Sequence, residues 1–392
     1  MANTQAVTFS EMMQSPVITR IVNRISTPLS LFQQFFGRMS GNNSTATDSV
    51  KGRDAGWDIF DVTRQFSGAR APETGPRRVV KKPIGHVSAQ LMRSHESIVI
   101  YDGEVYKTRP LGGQIGSTVD LRGQAHVQRQ VKFMTQRFRN QREWMYSRML
   151  RGGFNILPSG DNYGLIEYDA SPTDGSIPIS YQIPADNLDR LDLGTGADIL
   201  DDWGTVSNDI LGQCYAINKA MTRMHGRPLR HIWVNSSTFV NIQNNTGLQD
   251  IGGQAYRVFD SLSRRGNKSA EGIPDAGFDV VFRAMPLWTF HVYDGVLSVD
   301  GATDGIEVAE NTLLIPDDYA LFLPDPDDTW EGLIDGSEVI AENVLATGRE
   351  VQGFANWATR IIDPPGFELK FLDNYLPVLY VPTCVAYGNV GA

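Results

Sequence analysis

The sequence predicts an α+β fold with two linked domains, or with one domain that has long excursions. The 392 residues exceed the size at which a single hydrophobic core usually stops growing. The 38 Gly and 20 Pro indicate many turns and strands rather than a helical bundle. Along the chain, one long amphipathic helix is accompanied by several short apolar segments bounded by turn residues.

The N-terminal region is predicted to be extended. Residues 1–60 form an arm that has little to bury by itself. Residues 64–83 are rich in Gly, Pro and basic side chains and poor in apolar ones, which predicts an extended loop. Such loops usually carry function or contacts, because ordering them costs conformational entropy. Residues 97–106 then predict two strands around a tight Asp102-Gly103 turn.

The clearest element is a proline-free helix from Val119 to about Arg151. At about 1.5 Å per residue it is about 45 Å long, a length suited to a structural spine. Its apolar residues fall in one arc about 60° wide. The residues of this arc are Val127, Val131, Met134, Phe138, Met145 and Met149. The flanks of the helix are strongly basic, with Arg122, Arg129, Lys132, Arg137, Arg139, Arg142, Arg148 and Arg151.

The rest of the chain alternates helices and strands. A second helix is predicted from an apolar repeat between Trp203 and Met221. It is capped by Asp201 or Asp202 and ended by Gly226 and Pro228. The other predicted elements are a strand at 230–234, a helix to about Asn244 capped by Asn235, and strands at 278–282, 287–293, 311–323, 353–362, 367–371 and 376–386.

The charge is divided along the chain. Residues 1–151 carry 22 Lys and Arg against 11 Asp and Glu, whereas residues 152–392 carry 13 against 34. A basic surface can face a polyanion while an acidic one faces solvent. Complementary packing between copies is the alternative interpretation, and charge alone leaves both open.

Two segments resemble ligand sites but lack a required residue. The Gly-rich segment 112–118 opens the long helix, as a phosphate loop does, but it has no Walker lysine, so a structural turn is favoured. Several aspartates between 317 and 328 could hold a hard cation, but Trp330 stands where an EF-hand loop has its glycine. A solvated acidic loop is therefore favoured. The aspartates are Asp317, Asp318, Asp325, Asp327 and Asp328.

No catalytic motif is found elsewhere. The six histidines show no metal-binding spacing, and no Gly-x-Ser-x-Gly elbow supplies a nucleophile. Cys214 and Cys384 are too few for a disulfide framework and are predicted to be packing residues. Residues 375–387 are too short to cross a bilayer and contain two prolines, which predicts a buried strand. The sequence therefore predicts neither an enzyme nor a cofactor.

The basic side of the long helix is the remaining candidate for interaction chemistry. One interpretation is a strip on an inner surface that neutralises DNA phosphates without distinguishing bases. The other is ion pairing within or between subunits, because charged segments are often simply solvated or paired. The candidates for either role are Arg122, Arg129, Lys132, Arg139 and Arg142.

The order of the elements suggests a family. An arm, a basic loop, a Gly-rich turn, a long helix, an inserted α+β region and an apolar terminal strand follow one another. Together with the segments Asp363 to Leu369 and Tyr375 to Pro382, and the run Ile98 to Phe154, this order resembles the major capsid proteins of tailed bacteriophages, in their lambda-type branch.

The resemblance implies a Hong Kong 97-like capsid fold with an N-terminal arm, an extended loop, a long spine helix, a peripheral domain and an inserted axial domain. The implied divisions are the arm at 1–60, the extended loop and flanking strands at 61–118, the spine helix and peripheral domain at 119–200, the axial domain at 201–345 and a C-terminal return to the peripheral domain at 346–392.

The resemblance also implies a function and partners. Copies of the chain would form the hexamers and pentamers of an icosahedral head around double-stranded DNA, assembled in the host cytoplasm and located in the virion capsid. A separate scaffolding protein, a portal and a decoration or cement protein are the implied partners, without a covalent cross-link and without a membrane. The implied inter-subunit loop residues are Arg70, Arg77, Arg78, Lys81 and Lys82. The alternative is the shell protein of an encapsulin-type nanocompartment or, more distantly, another virion structural protein.

Overall fold

A computed structural model shows the fold of the described part of the chain. The described residues are 32, 35, 48–51, 54–59, 85–107, 121–157, 164–167, 170–171, 176–193, 197–252, 277–280, 285–297, 312–325, 331–340, 349–352 and 354–391.

The described helices are α1 (Asp102–Lys107), α2 (Leu121–Met149), α3 (Ile210–His225), α4 (Ser236–Asn244) and α5 (Thr246–Gly252), with 3-10 turns at Ala185–Asn187 and Pro382–Cys384. The described strands are β1 (Asp48–Lys51), β2 (Asp54–Ile59), β3 (Gly85–Gln90), β4 (Met92–Tyr101), β5 (Gly153–Leu157), β6 (Gly164–Glu167), β7 (Ile177–Ser180), β8 (Leu188–Asp189), β9 (Leu229–Val234), β10 (Gly277–Val280), β11 (Thr289–Tyr293), β12 (Val296–Leu297), β13 (Thr312–Leu313), β14 (Tyr319–Pro324), β15 (Glu331–Ile340), β16 (Arg349–Gln352), β17 (Ala355–Ile361), β18 (Gly366–Leu379) and β19 (Ala386–Asn389).

The long helix α2 confirms the clearest sequence prediction. It is 29 residues long, and all six residues of the predicted apolar arc are buried. The arc packs against β4 and β18, so the helix lies across one face of a sheet. The chain leaves the helix through Gly152, whose φ of 107° is strained for residues with a side chain.

The first sheet is organised around β18, the longest described strand. Its order is β1, β15, β18 and β17, with β16 also paired to β15 and β4 also paired to β18. The pairings are antiparallel except that of β1 with β15. The second half of β18 is almost continuously buried, because the strand is covered on both faces.

The second sheet has the order β10, β11, β9, β14, β19 and β8. Apolar residues of α3, α4 and α5 pack on it and form a second core. The cap of α4 is the predicted one, since the Asn235 side chain accepts a hydrogen bond of 2.8 Å from the Thr238 amide. The predicted end of α3 is also confirmed, because Gly226 has the left-handed φ of 77°. Smaller sheets join β2 with β3, β12 with β13, and β5 with β6 and β7.

The prediction of two strands around Asp102-Gly103 is wrong. β4 ends at Tyr101, and the following residues form helix α1. β4 pairs instead with β18, far along the chain, and the Asp102 amide donates to the Pro365 carbonyl at 3.1 Å. Acidic side chains in the first turn then favour the helix over a returning strand.

The predicted start of the second helix is also wrong. α3 begins at Ile210 and is capped by Asp209, which accepts a hydrogen bond of 2.8 Å from the Gly212 amide. Asp202 accepts from the Gly204 amide at 2.7 Å in a preceding turn. Both aspartates make the local hydrogen bonds that favour caps and turns, so their sequence context does not distinguish them.

The predicted strands near the C-terminus have different bounds. Residues 367–371 and the first part of 376–386 belong to one strand, β18, and the chain then turns at Pro382–Cys384 and enters the second sheet as β19. The predicted strand 311–323 is interrupted, because Asp318 has a φ of 61° between β13 and β14.

Candidate interface on the long helix and the arm pocket

Two basic residues in the first half of α2 are exposed. Arg129 and Lys132 are exposed, and Arg129 Nε donates to the Ala125 carbonyl of the same helix at 3.3 Å. Phe133 beside them is 49% exposed. This stretch therefore presents charge and apolar surface together. The side chain of Arg122 lies outside the described residues.

Further along α2 the basic residues turn inward. Arg137 makes hydrogen bonds of 2.8 and 3.1 Å to Glu96 on β4, in a half-exposed ion pair. Arg139 is partly buried, and its pKa is lowered first by burial and then by the charge of Arg142.

Arg142 is held in an ion pair within the chain. Its guanidinium donates to both carboxylate oxygens of Asp373 on β18, at 2.8 and 2.6 Å, and lies 4.4 Å from the centre of the Tyr375 ring. The Arg142 side chain is 15% exposed and that of Asp373 is 0% exposed. Burial is the largest influence on the pKa of Arg142 and lowers it, but the charge and hydrogen bonds of Asp373 together with nearby tyrosines raise it overall. Arg142 therefore connects α2 to β18 through an ion pair within the chain. Of the two interpretations given for the basic residues of this helix, the contact is the one that involves ion pairing rather than DNA.

A second site receives two residues from the segment that the sequence predicts to be an N-terminal arm. Phe32 and Phe35 are 1% and 7% exposed. The Phe32 amide donates to Glu143 Oε1 on α2 at 2.8 Å, and its ring stacks on Trp233 at 4.7 Å. The Phe35 ring packs edge-on against His231, Trp233 and His291, with centroid distances of 4.9, 5.3 and 5.7 Å. We call the site formed by Glu143, His231, Trp233, His291 and Tyr293 the arm pocket.

The two histidines of the arm pocket are joined by a hydrogen bond. His231 Nδ1 lies 2.9 Å from His291 Nε2, and His231 Nε2 lies 3.0 Å from Asp325 Oδ1. His291 also stacks on Trp233 at 4.3 Å. None of the predicted site residues lies in this pocket. Its signals are two phenylalanines three residues apart in the arm and a histidine at a mostly apolar position in each of two strands.

The other candidate sites have simple outcomes. Cys214 and Cys384 are buried and form no disulfide with each other, as expected of packing residues, and burial raises the pKa of the Cys214 thiol. Within the described part of the chain, no three His, Cys, Asp or Glu residues are placed to hold a metal ion. Among the same residues, no helix is long and apolar enough to cross a membrane.

The fold was compared with known proteins. No family model and no curated protein sequence matches the chain. Among solved structures, the protein assigned as the capsid protein of a prophage in E. coli CFT073 is similar with a TM-score of 0.53 and 14% identity, over 96% of this chain and 99% of that one. The fold is that of a phage capsid protein.

Two other structures are similar at lower scores. The capsid of Ralstonia phage GP4 has a TM-score of 0.44 and 9% identity, over 89% of this chain and 86% of that one. An encapsulin complex from Synechococcus elongatus PCC 7942 has a TM-score of 0.36 and 9% identity, over 88% of this chain and 84% of that one. The predicted α+β class and capsid fold are confirmed by the first comparison and by the observed elements.

Within this capsid fold, the predicted interface residues are divided. Arg129 and Lys132 lie on the described surface, and Arg142 braces the interior. The Gly-rich segment 112–118, Asp327 and Asp328 lie outside the described residues, as does the predicted inter-subunit loop with Arg70, Arg77, Arg78, Lys81 and Lys82. Asp317 and Asp318 are exposed, but Asp317 accepts a hydrogen bond from the Asn235 side chain and Asp325 pairs with His231 and Arg230, so the predicted acidic loop is solvated only in part.

Proposed function

We propose that the chain is the major capsid protein of a tailed bacteriophage and assembles into the hexamers and pentamers of an icosahedral head around double-stranded DNA. The observation that carries the proposal is the capsid fold, shared along nearly the whole length of both compared chains. Such a shell forms because each copy repeats the same contacts, whose free energies add over a closed lattice.

Each part of the chain has its own structural role in this assembly. Residues 1–60 act as the arm, 61–118 as the extended loop with its flanking strands, 119–200 as the spine helix and peripheral domain, 201–345 as the axial domain and 346–392 as the return. The burial of Phe32 and Phe35 and the pairing of β1 with β15 support an arm that packs against the rest of the chain at more than one place. The loop residues Arg70, Arg77, Arg78, Lys81 and Lys82 contact neighbouring copies without a covalent cross-link.

Three kinds of partner complete the proposal. A separate scaffolding protein guides assembly in the host cytoplasm, a portal occupies one vertex, and a decoration or cement protein binds the outside of the virion. The chain acts as a structural protein, without a catalytic step or a cofactor. Packaged DNA is held by charge, without sequence preference.

Assembly is tested by electron microscopy and light scattering of the purified chain, alone and after coexpression with the scaffolding protein. We expect closed shells or capsomer rings on the order of tens of nanometres across, as symmetric assembly through a repeated interface requires. Shells that form without scaffolding and enclose a protein cargo would favour an encapsulin-type compartment. A monodisperse monomer or dimer under both conditions would contradict both.

The DNA-facing role is proposed for Arg129 and Lys132, because they are the predicted candidates on the described surface of α2. It is tested with a double-stranded DNA fragment and the unassembled chain carrying Arg129→Gln and Lys132→Gln. Each lost phosphate contact lowers the slope of log affinity against log salt by about 0.9, so we expect a decrease of about 2. The matched control is Lys219→Gln with Arg223→Gln, which removes two exposed charges from α3. An equal decrease in the control would contradict the assignment.

A further inference from the structure

The arm pocket contains a hydrogen-bond arrangement that depends on protonation. His231 forms hydrogen bonds at both ring nitrogens: Nε2 donates to the Asp325 carboxylate at 3.0 Å, and Nδ1 donates to or accepts from His291 Nε2 at 2.9 Å. A hydrogen bond between two imidazole nitrogens holds one proton. The neutral pair satisfies it, with one histidine donating and the other accepting. A pair with one added proton also satisfies it, and the charge then lies beside the Asp325 carboxylate.

A second added proton is incompatible with this geometry. Both facing nitrogens, His231 Nδ1 and His291 Nε2, would then carry hydrogens at a separation of 2.9 Å, and the two rings would carry like charges. The rings would have to move apart. They are confined, because His291 is stacked on Trp233 and Phe35 closes over both histidines. Removing Phe35 from the pocket gives the rings room and exposes them to water.

We propose that the arm pocket is a reversible receptor for the arm segment that contains Phe32 and Phe35, and that acid releases this segment through double protonation of His231 and His291. The occupant is a segment of this chain, already anchored by two aromatic rings and by the bond from the Phe32 amide to Glu143. The inference concerns a single chain and does not depend on the proposed capsid function.

The charged groups around the pair do not remove the conflict. Arg230 Nε lies 3.4 Å from Asp325 Oδ2, so it competes with His231 for that carboxylate, which is 59% exposed. β10 places Asp279 opposite His291 in the strand register. On α2, Glu143 faces the Phe32 amide, and on β11 Tyr293 contributes its ring to Phe32. A carboxylate can offset charge, but it cannot supply an acceptor between two protonated nitrogens.

The size of the effect follows from proton linkage. Histidine in water binds its proton at about pH 6.5. If the released pocket binds one more proton than the occupied pocket, the docking constant at pH 5.0 is about 30-fold lower than at pH 7.5. Docking is therefore fully present above about pH 6.5 and weakens as the pH falls below it.

The test is hydrogen–deuterium exchange of the unassembled, full-length chain at pH 7.5, 6.0 and 5.0, with rates corrected for the pH dependence of the chemistry. Protection of the peptide that contains Phe32 and Phe35 reports the docking equilibrium. We expect its protection to fall by about 30-fold at pH 5.0, while helix α3 keeps its protection. Unchanged protection of the arm peptide, or an equal loss in α3, would overturn the proposal.

Variants separate the histidine pair from other acid-sensitive groups. His291→Phe keeps an aromatic ring on Trp233 and removes one of the two facing ring nitrogens, so its arm protection should be independent of pH. If this variant does not dock at pH 7.5, His231→Gln decides by the same criterion. His86→Gln is the matched control, because His86 pairs with Asp58 and is 62% exposed; it should retain the full loss. Glu143→Gln should also retain it, and a pH-independent Glu143→Gln variant would assign the release to Glu143 instead.

Discussion

Replacing Asp373 by Ala should destabilise the subunit strongly, because it leaves the Arg142 charge buried without its carboxylate. The guanidinium donates two hydrogen bonds to Asp373, at 2.8 and 2.6 Å, and its side chain is only 15% exposed. The Asp373 side chain is fully buried within β18, the strand that pairs with three others. The variant therefore affects the junction between the long helix and the centre of the first sheet.

The magnitude follows from the burial of the pair. Removing one partner of a buried ion pair typically costs about 3–5 kcal/mol, because the remaining charge stays desolvated. Replacing both partners by apolar residues of similar volume is often neutral or stabilising. We therefore expect Asp373→Ala to lower the free energy of unfolding by about 3–5 kcal/mol, and Arg142→Met combined with Asp373→Leu to lower it by much less.

Urea denaturation of the unassembled subunit measures these differences. The matched control is Glu96→Gln, which breaks the neighbouring pair of α2 with Arg137, whose side chains are 34% and 37% exposed. An exposed pair of this kind contributes less than about 1 kcal/mol. If Asp373→Ala and Glu96→Gln have similar effects, the interpretation of Arg142 as an internal brace is wrong.

Three further outcomes are expected. Gly366→Ala should lower the free energy of unfolding by about 1–3 kcal/mol, because a Cβ at this position would lie 2.7 Å from the Ile100 carbonyl oxygen and disturb the pairing of β4 with β18. An unchanged midpoint in urea denaturation would contradict this. Cys214 should react with iodoacetamide at pH 8 only when the chain unfolds, because it is buried and its thiol pKa is raised. Labelling of Cys214 in the native chain, detected by mass spectrometry, would contradict this. Burial raises the pKa of Tyr181 and Tyr375, so the stability that these two groups contribute should be constant below about pH 10 and be lost above it. In alkaline denaturation, Tyr375→Phe should reduce the dependence of the free energy of unfolding on pH, and an unchanged dependence would refute the assignment.

The elements that the sequence predicted well are those with a strong local pattern. The 29-residue helix was predicted because its apolar arc repeats for many turns without a proline. Asn235 was identified as a cap because a polar side chain directly follows an apolar strand, and Gly226 as an end because only Gly adopts its backbone conformation easily.

The errors concern long-range pairing. Residues 104–106 are predicted to return as a strand next to β4, but residues 102–107 form α1, and β18 takes that place from more than 250 residues away. The same limit applies to the candidate sites. Whether Arg129 is exposed and Arg142 is buried depends on where β18 lies, and the pair of His231 and His291 depends on the pairing of β9 with β11. Local periodicity carries none of this information.

The path of the last described residues has a consequence for synthesis on the ribosome. β18 completes the first sheet, and β19 then inserts between β14 and β8 in the second, where the Val390 carbonyl also accepts from the Trp203 amide at 2.7 Å. β18, the partner of β4, is therefore translated about 265 residues after β4. At about 5 to 20 residues per second, the delay between the two strands is about 13 to 53 s. Both sheets remain unfinished throughout this interval, and the edge of β4 that pairs with β18 has no strand partner. Chains that stop before β18 and β19 lack the central strand of the first sheet and one strand of the second, so both sheets are complete only after residue 389 is translated.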